Sequence, residues 1–332
     1  MADYLSRLAS DFEANSANCG ALKSVFIGGG TPTLLSPESL SFIFEKLKKH
    51  FHLCDATEVS IECNPETLDE KKADTLAGIV NRASLGVQSF EPRLRKTLGR
   101  QGNVESIAKA AKLLKARGIE NLSMDLIYAI PGQSIEDWRR DLDKALDFEI
   151  KHLSAYALTI EEGSRLAGDN CDINEELAAD MWPITEEILT TRGLKRYEIS
   201  NYAIPGFECR HNLNVWHGDS YLGCGPAASS FDGAKRWTQR ADLDAWTKGK
   251  SPEYDIVDEE SRAREIFVMG LRTVSGWKLE ELAKFRHVPD LEKIKLECAG
   301  FIEAGMMLFD PASIRLTEKG LLFWDSIAEA II

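Results

Sequence analysis

The sequence predicts an α/β protein built from parallel βαβ units. Short β-rich runs alternate with amphipathic helical stretches from Lys23 to about Ala203, which is the pattern of strands joined by crossover helices. Several runs are largely apolar, as parallel strands covered on both faces should be. The alternation fits either a barrel or a doubly wound sheet. The predicted strands are SVFIGGG, EVSIEC, RASLGVQ, NLSMDLIYAI, HLSAYALTI and RYEIS, which begin at Ser24, Glu58, Arg82, Asn121, His152 and Arg196.

Helices are predicted between these strands by the spacing of apolar residues. In ESIAKAAKLLKARGI an apolar stripe begins at Ile107 and recurs at helical spacing. In SIEDWRRDLDKALDF, Ser134 suits an N-cap, and two acidic residues follow in the first turn. The chain also opens on a helix, whose stripe runs from Tyr4 to Phe12. A helix in that place is normally the partner of a preceding strand, so we expect an N-terminal piece to be missing.

The composition excludes several classes of protein. The 332 residues include 44% apolar and 28% charged residues, as in an ordinary globular protein. The net charge of −13 repels phosphate backbones, so nucleic acid is not an expected partner. No apolar run approaches the roughly 20 residues of a membrane span, and the N-terminus does not resemble a signal peptide. Seven cysteines without a CxxC pair favour a reducing, cytoplasmic location.

The pattern changes after Ile204, and three segments are expected. Residues 1–204 form the βα domain, 205–258 a linking segment with HNLNVW and a glycine-rich turn, and 259–332 a C-terminal domain. The C-terminal pattern of helices followed by a short strand pair is typical of a winged-helix-like unit. Because the chain is acidic, we expect this unit to serve packing rather than DNA binding.

A glycine-rich turn follows the first predicted strand. Gly28, Gly29 and Gly30 precede Thr31 and Pro32, and three successive glycines allow close approach of a ligand to the backbone. The sequence is neither a Walker loop nor GxGxxG. A tight turn without a ligand is the simpler interpretation of this motif alone.

Polar side chains recur where the predicted strands should stay apolar. Glu62 and Gln88 end two strands, and Asp125 lies within a third. Buried carboxylates and amides need hydrogen-bond partners, so three on successive strands indicate a shared polar ligand at the carboxyl ends of the strands. Arg100 in RKTLGRQG offers a cation for a carboxylate, although alone it would be taken as a surface residue.

Taken in order, these motifs resemble the HemN/HemW family. The segments that carry the resemblance are GGGTPTLL, IECNPE, LGVQSF, LGRQG, MDLIYAIPGQ, YEISNYA, HNLNVW and YLGCGP. The resemblance as a whole covers the chain from about Leu5 to the C-terminus. HNLNVW and the short C-terminal domain favour the haem-chaperone branch over oxygen-independent coproporphyrinogen III oxidase.

The resemblance implies a partial (β/α)6 radical-SAM barrel with a helical C-terminal domain. It also implies S-adenosylmethionine (SAM), a [4Fe–4S] cluster and a tetrapyrrole as ligands. Carried over by motif, Gly29, Gly30 and Thr31 hold the amino-acid end of SAM. The other residues that match SAM contacts are Glu62, Gln88, Arg100 and Asp125. His211 in HNLNVW matches a histidine proposed to hold haem, although an ordinary loop histidine is the alternative.

The chain also departs from the family pattern. No CxxxCxxC motif is present, so no cluster ligands are assigned, and either a fragment or a degenerate member is expected. Val215 stands where the family usually has Tyr, and Ser229 where relatives commonly have His. The seven cysteines are Cys19, Cys54, Cys63, Cys171, Cys209, Cys224 and Cys298.

Three functions follow from these observations. The first is a haem chaperone that binds haem and transfers it to an acceptor protein. The second is a coproporphyrinogen-oxidase-like radical SAM oxidoreductase of porphyrin biosynthesis, which needs the absent cysteines. The third is a cluster-free scaffold that binds a metabolite or a protein and has no affinity for haem or SAM.

Overall fold

The fold is taken from a computed structural model, which describes residues 1–17, 19–100, 102–160, 165–168 and 173–332. Cys171 lies outside the described residues. The helices are α1 (Ala2–Ser16), α2 (Pro37–His50), α3 (Glu70–Leu76), α4 (Pro92–Thr97), α5 (Glu105–Lys115), α6 (Ile135–Leu146), α7 (Arg165–Gly168), α8 (Glu175–Thr191), α9 (Arg210–Trp216), α10 (Leu243–Thr247), α11 (Glu259–Gly270), α12 (Leu279–Leu282), α13 (Leu291–Glu297), α14 (Ala299–Glu303), α15 (Glu318–Leu322) and α16 (Trp324–Ile331). The strands are β1 (Ser24–Ile27), β2 (Glu58–Cys63), β3 (Arg82–Gln88), β4 (Asn121–Tyr128), β5 (His152–Ala157), β6 (Lys195–Arg196), β7 (Asn201–Ala203), β8 (Ser229–Phe231), β9 (Arg236–Thr238), β10 (Glu253–Asp255), β11 (Trp277–Lys278), β12 (Met307–Phe309) and β13 (Ser313–Leu316).

A seven-stranded sheet organises the first two thirds of the chain. Its order is β1-β2-β3-β4-β5-β7-β6, and the first five strands are parallel neighbours. The apolar side chains of one sheet face pack against the crossover helices and form the largest core. The first five predicted strands and the predicted parallel sheet are therefore confirmed.

The sixth predicted strand is wrong in detail. RYEIS does not add a sixth parallel neighbour, because β7 pairs antiparallel with both β5 and β6. The chain turns back between Arg196 and Asn201, where the Tyr197 amide donates to the Asn201 carbonyl at 3.1 Å. The hairpin therefore places β7, rather than β6, beside the parallel strands.

Several strands were expected to be largely apolar, as strands covered on both faces are, but they are apolar on one face only. Along β2, Val59 and Ile61 enter the core, whereas Glu58, Ser60 and Glu62 alternate with them. Because successive strand residues point to opposite faces, the sheet has an apolar outer face and a polar inner face. The same alternation recurs in β3, β4 and β5. Further inner-face residues are Arg82, Ser84, Gly86, Ser123, Asp125, His152, Ser154 and Tyr156.

The predicted helices form for the expected reasons. Ser134 caps α6 by accepting from the Asp137 amide at 3.1 Å, and Asp137 reciprocates, which completes a capping box. The stripe of α5 that begins at Ile107 is buried in the main core. In α1, Leu8 and Phe12 pack with α2 and Trp246 in a smaller cluster.

The C-terminal third adds two small antiparallel sheets. One has the order β10-β9-β8, and the other has the order β11-β13-β12. The second sheet packs with α11 to α16 around its own core, which agrees with the predicted winged-helix-like pattern. Within the described ranges, no helix has the length and apolarity needed to cross a bilayer.

Candidate functional site

The glycine turn lies directly after β1, at the carboxyl end of the parallel sheet. Gly29 and Gly30 have φ values of +86° and +139°, which side chains other than glycine rarely adopt. A Cβ on Gly28 would lie 2.6 Å from Phe26 Cε1 and 2.8 Å from Glu62 Cδ. Thr31 precedes the short 3-10 helix Pro32–Leu34. The glycines therefore give both the turn and the space that Glu62 occupies.

Glu62 and Asp125 form a pair of acidic groups on the inner face. The Gly29 amide donates to Glu62 Oε2 at 3.1 Å, and Ser84 Oγ donates to Asp125 Oδ1 at 2.9 Å. Burial raises the pKa of Glu62, and the nearby Asp125 raises it further. Burial likewise raises the pKa of Asp125, while bonds from Ser154 and Ser84 oppose that shift. The pair favours a ligand that brings positive charge or hydroxyl donors.

Gln88 and Arg100 approach the same part of the inner face over Gly86. The position of a Cβ on Gly86 would be 3.3 Å from Gln88 Nε2 and 3.6 Å from Arg100 Nη2. Gln88 has a φ of +69°, a conformation that costs a non-glycine residue on the order of 1 kcal/mol. Arg100 also lowers the pKa of Asp125 by its charge. Gly86 therefore leaves room for an amide and a cation opposite the two carboxylates.

A cavity of about 640 Å³ opens beside Arg100. It is lined by Pro92, Arg95, Lys96, Gly99, Arg100, Gly102, Asn103, Val104 and Glu105. Arg100 therefore lies both on this cavity and beside Gly86.

His211 lies on the first turn of α9, next to β1. Its ring stacks on Phe26 with centroids 5.0 Å apart, and its Nδ1 lies 3.3 Å from Ser24 Oγ. Burial lowers the pKa of His211, and the charge of Glu58 opposes this shift. Among the described residues, none hydrogen-bonds Nε2. The imidazole ring is therefore held by the contact of Nδ1 with Ser24 and by stacking of one face on Phe26.

The structure thus brings together most of the expected site, but not all of it. The glycine turn, Glu62 and Asp125 meet at the strand ends with Gln88 and Arg100, as the sequence predicted. His211 is separated from that group by the ring of Phe26, which stacks on it and also approaches Gly28. The strand-end residues and the histidine are therefore two neighbouring groups, one on each side of the Phe26 ring.

A buried polar network beneath these sites was not predicted. His152 bonds Ser123 Oγ through Nδ1 and Tyr197 OH through Nε2, each at 2.8 Å. The Cys209 amide donates to Tyr197 OH at 3.3 Å, and Cys209 Sγ lies 3.6 Å from Glu58 Oε1. Polar residues at every second position of β2 to β5 were the available signal.

Glu58 connects this network to the first turn of α9. Its two carboxylate oxygens accept the amide protons of Arg210 at 3.0 Å and His211 at 3.2 Å. These amides belong to the first turn of α9, where no intrahelical acceptor is available. Glu58 therefore caps α9 and fixes the backbone of His211.

The described cysteines do not come together as a metal site. No group of three or more His, Cys, Asp and Glu side chains with metal-binding geometry occurs among the residues that the structure describes. Cys63 faces the apolar core, where burial raises its pKa to about 12. Burial also raises the pKa of Cys224 to about 12.

Comparison with known families divides the chain into two matched regions. Residues 6–145 match the radical SAM superfamily, and residues 257–323 match the HemN C-terminal domain. The fold also superposes on coproporphyrinogen III oxidase (HemN) from Escherichia coli, described as a radical SAM enzyme, with a TM-score of 0.84. That match has 20% identity and covers 99% of this chain and 82% of the other. At such identity the likeness shows the fold alone, and it confirms the predicted radical-SAM type of barrel.

Curated relatives are similar over almost the whole chain. The heme chaperone HemW of Lactococcus lactis subsp. lactis (strain IL1403) is 30% identical, over 99% of this chain and 89% of its own length. The heme chaperone HemW of Escherichia coli (strain K12) is 36% identical, over 99% of this chain and 90% of its own. The chain therefore belongs to the HemN/HemW family of radical SAM proteins.

Proposed function

We propose that this protein is a cytoplasmic haem chaperone of the HemW type, which binds haem and passes it to an acceptor protein. Two curated relatives that cover 99% of the chain carry that name. The structural observation that carries the proposal is the placement of His211 between Phe26 and Ser24. The likeness to coproporphyrinogen III oxidase concerns the fold and does not favour oxidase activity over haem transfer.

The surroundings of His211 suit an iron ligand. Its lowered pKa keeps the imidazole neutral near pH 7, and neutral imidazole is a common ligand of haem iron. With its proton on Nδ1, the ring would donate to Ser24 Oγ, which would leave Nε2 available to iron. A hydrogen bond at the other ring nitrogen fixes the ring orientation of such ligands. His211 would therefore present Nε2 to haem, the cargo of the chaperone.

We also propose that the strand-end residues bind SAM. Glu62 and Asp125 would face its positive groups and ribose hydroxyls, and Arg100 would pair with its carboxylate. Gly29, Gly30 and Thr31 would hold its amino-acid end, and Gln88 would contribute hydrogen bonds beside Arg100. The space over Gly28 and Gly86 fits this arrangement, because a Cβ at either position would crowd Glu62 or Gln88.

A [4Fe–4S] cluster is the group that radical SAM proteins use beside SAM. The cysteines among the described residues do not fit its ligation, since no three of them come together. The strand-end residues and His211 would bind and orient SAM and haem, and Phe26 would separate the two ligands.

Haem titration of the purified chain tests the proposal. Ferric haem is added while the Soret band is followed, and His211→Ala is compared with His50→Ala, which lies at the end of α2. We expect saturable binding by the wild type and His50→Ala, and at least tenfold weaker binding by His211→Ala, corresponding to about 1.4 kcal/mol or more. Equal affinity of all three proteins would remove His211 from the haem site.

A further inference from the structure

The helix that carries His211, α9, lies between two parts of the fold. One is the barrel, by which we mean the seven-stranded sheet and its helices in residues 1–204, and the other is the C-terminal unit, residues 259–332. The first turn of α9 is capped by Glu58 of the barrel. Its last residue, Trp216, contacts Arg272, which follows α11 in the C-terminal unit. The seven residues of α9 are therefore held at both ends by different parts of the fold.

Arg272 lies between two tryptophan rings. Its guanidinium carbon is 4.6 Å from the ring centroid of Trp216 and 4.7 Å from that of Trp324 on α16. A planar guanidinium has two flat faces and can stack on an aromatic ring with each of them, whereas the tetrahedral ammonium of lysine has no flat face. This Trp216–Arg272–Trp324 stack joins α9 to the last helix of the chain.

The position of Arg272 is itself fixed by the barrel. Its Nη2 lies 3.7 Å from Oε2 of Glu198, which is fully buried. Glu198 also forms an isolated antiparallel bridge with Thr273, and the Ile199 amide donates to the Arg272 carbonyl at 3.2 Å. Arg272 therefore has little freedom to follow Trp216 if that ring moves.

A second contact supports the same end of α9. The His217 ring lies 5.4 Å from the Trp277 ring, and His217 Nε2 is 3.4 Å from Thr273 Oγ1. Gly218 follows, where a Cβ would lie 2.8 Å from Ile266 Cγ2. Close packing on this side leaves α9 little room to rotate or translate.

His211 and Trp216 are five residues apart on one short helix. At the rise of an α-helix this separation is about 7.5 Å, or less than two turns. Over that distance a hydrogen-bonded helix moves as a rigid body, so a rotation at Trp216 displaces the His211 ring from Phe26 and Ser24.

We infer that Arg272 is a positioning residue for His211, because its stack with Trp216 and Trp324 sets the orientation of α9 from the C-terminal unit. This inference rests on the proposed function only where haem is concerned. It assigns the C-terminal unit a part in haem binding without contact between that unit and the iron ligand.

The test compares Arg272→Met with Arg264→Met. Arg264 is a buried arginine of α11 that pairs with Glu260 and Glu297 and donates to the Ile331 carbonyl at 2.6 Å. It reaches α16 at Ile331, seven residues or about two turns from Trp324, so its loss weakens the C-terminal unit without removing a member of the stack. Arg272→Lys and Trp324→Leu serve as second variants, in case Arg272→Met does not fold.

Two readouts separate positioning from stability. The first is the ring resonance of His211 in the ligand-free protein with labelled histidine, assigned by its absence in His211→Ala. The second is the haem dissociation constant from the Soret band.

We expect Arg272→Met and Trp324→Leu to shift the resonance and to weaken haem binding by about fivefold to tenfold. Arg264→Met should lower the melting temperature and leave both readouts unchanged. Arg272→Lys should follow Arg272→Met, because it keeps the charge but not the planar stack.

Each outcome decides the inference. If the His211 resonance of Arg272→Met is the same as that of Arg264→Met, Arg272 does not position His211. Where Arg272→Met does not fold, the same comparison is made with Trp324→Leu. If the resonance shifts but the wild type shows no saturable haem binding, the positioning role stands and the proposed haem function fails. If the resonance and the affinity change together, both are supported.

Discussion

At Gly28 a single methyl group has no room. A Cβ there would approach the Phe26 ring to 2.6 Å and Glu62 Oε1 to 2.8 Å, and an aromatic ring held by stacking cannot yield without moving its neighbour. We predict that Gly28→Ala lowers the free energy of unfolding by about 1–3 kcal/mol, the usual cost of overpacking. Urea unfolding measures this change.

Gly20→Ala is the control for that substitution. Among the described residues other than its chain neighbours, no heavy atom lies within 4 Å of the position of its Cβ, so its effect should stay within about 0.5 kcal/mol. Because Phe26 also stacks on His211, Gly28→Ala should disturb the histidine too. Equal stability of the two variants would contradict the close packing described for the turn.

The pH dependence of haem binding follows from the lowered pKa of His211. Burial places that pKa below its usual value of 6.5, and only the neutral ring ligates iron. Haem affinity should therefore change little above about pH 7.5 and fall as the pH decreases through the pKa of the buried ring, approaching about tenfold per pH unit below that pKa. Soret titrations at several pH values measure the haem affinity.

A decline in affinity with its midpoint above pH 6.5 would contradict burial as the controlling effect. His211→Ala is the control, and any haem binding that remains in this variant should not show the same dependence on pH.

Single residues show what the sequence could and could not predict. Glu62, Gln88 and Asp125 stood out because each interrupts an apolar run, the first two at strand ends and Asp125 within a strand, and the structure places them near one another. Glu58 and His152 were missed because they lie at the amino ends of their strands, where a polar residue is usually taken as a solvent-exposed start. The alternation of polar residues places them on the inner face, but their burial depends on contacts with α9 and the Tyr197 turn, which that alternation does not encode.

At the scale of elements, α9 depends on a cap that comes from a distant strand. Glu58 accepts two first-turn amides of α9, and Glu58→Ala leaves both without an acceptor. We predict that this substitution weakens protection of the α9 amides by about 1–2 kcal/mol, the cost of unsatisfied buried donors. Hydrogen exchange measures the protection of each amide.

Asp242→Ala is the matched control for the cap. Asp242 caps α10 by accepting the Ala245 amide at 2.7 Å, and it should lower protection there without changing α9. If Glu58→Ala leaves exchange in α9 at the wild-type rate, the carboxylate does not hold this helix.

The elements that were predicted well carry their information locally. The capping box of α6 and the apolar stripe of α5 are short-range patterns, and both helices form as expected. The RYEIS run has the composition of a strand, but strand composition does not specify a neighbour. The hairpin from β6 to β7 is selected by tertiary pairing with β5, which is why the predicted sixth parallel strand was wrong.

At the scale of the whole molecule, the barrel and the C-terminal unit share a core residue. Trp182 belongs to α8, which flanks the main sheet, yet its ring is buried in the C-terminal core with Phe267 and Trp277. Arg196 covers the other side of that ring at 3.6 Å and also lies 4.6 Å from Tyr202 of β7. Unfolding of either part therefore exposes surface that the other part buries.

This shared packing predicts cooperative unfolding that one substitution disrupts. Trp182→Ala should cost about 3–5 kcal/mol and split a single calorimetric transition into two, because it removes the ring that spans both cores. Trp138→Ala removes an equally large ring that is buried entirely in the main core, so it should lower the transition temperature without splitting the peak. Scanning calorimetry of both variants measures the difference. A single peak in Trp182→Ala, shifted like that of Trp138→Ala, would show that coupling rests on the Glu198 bridge and the Arg272 stack rather than on the shared tryptophan.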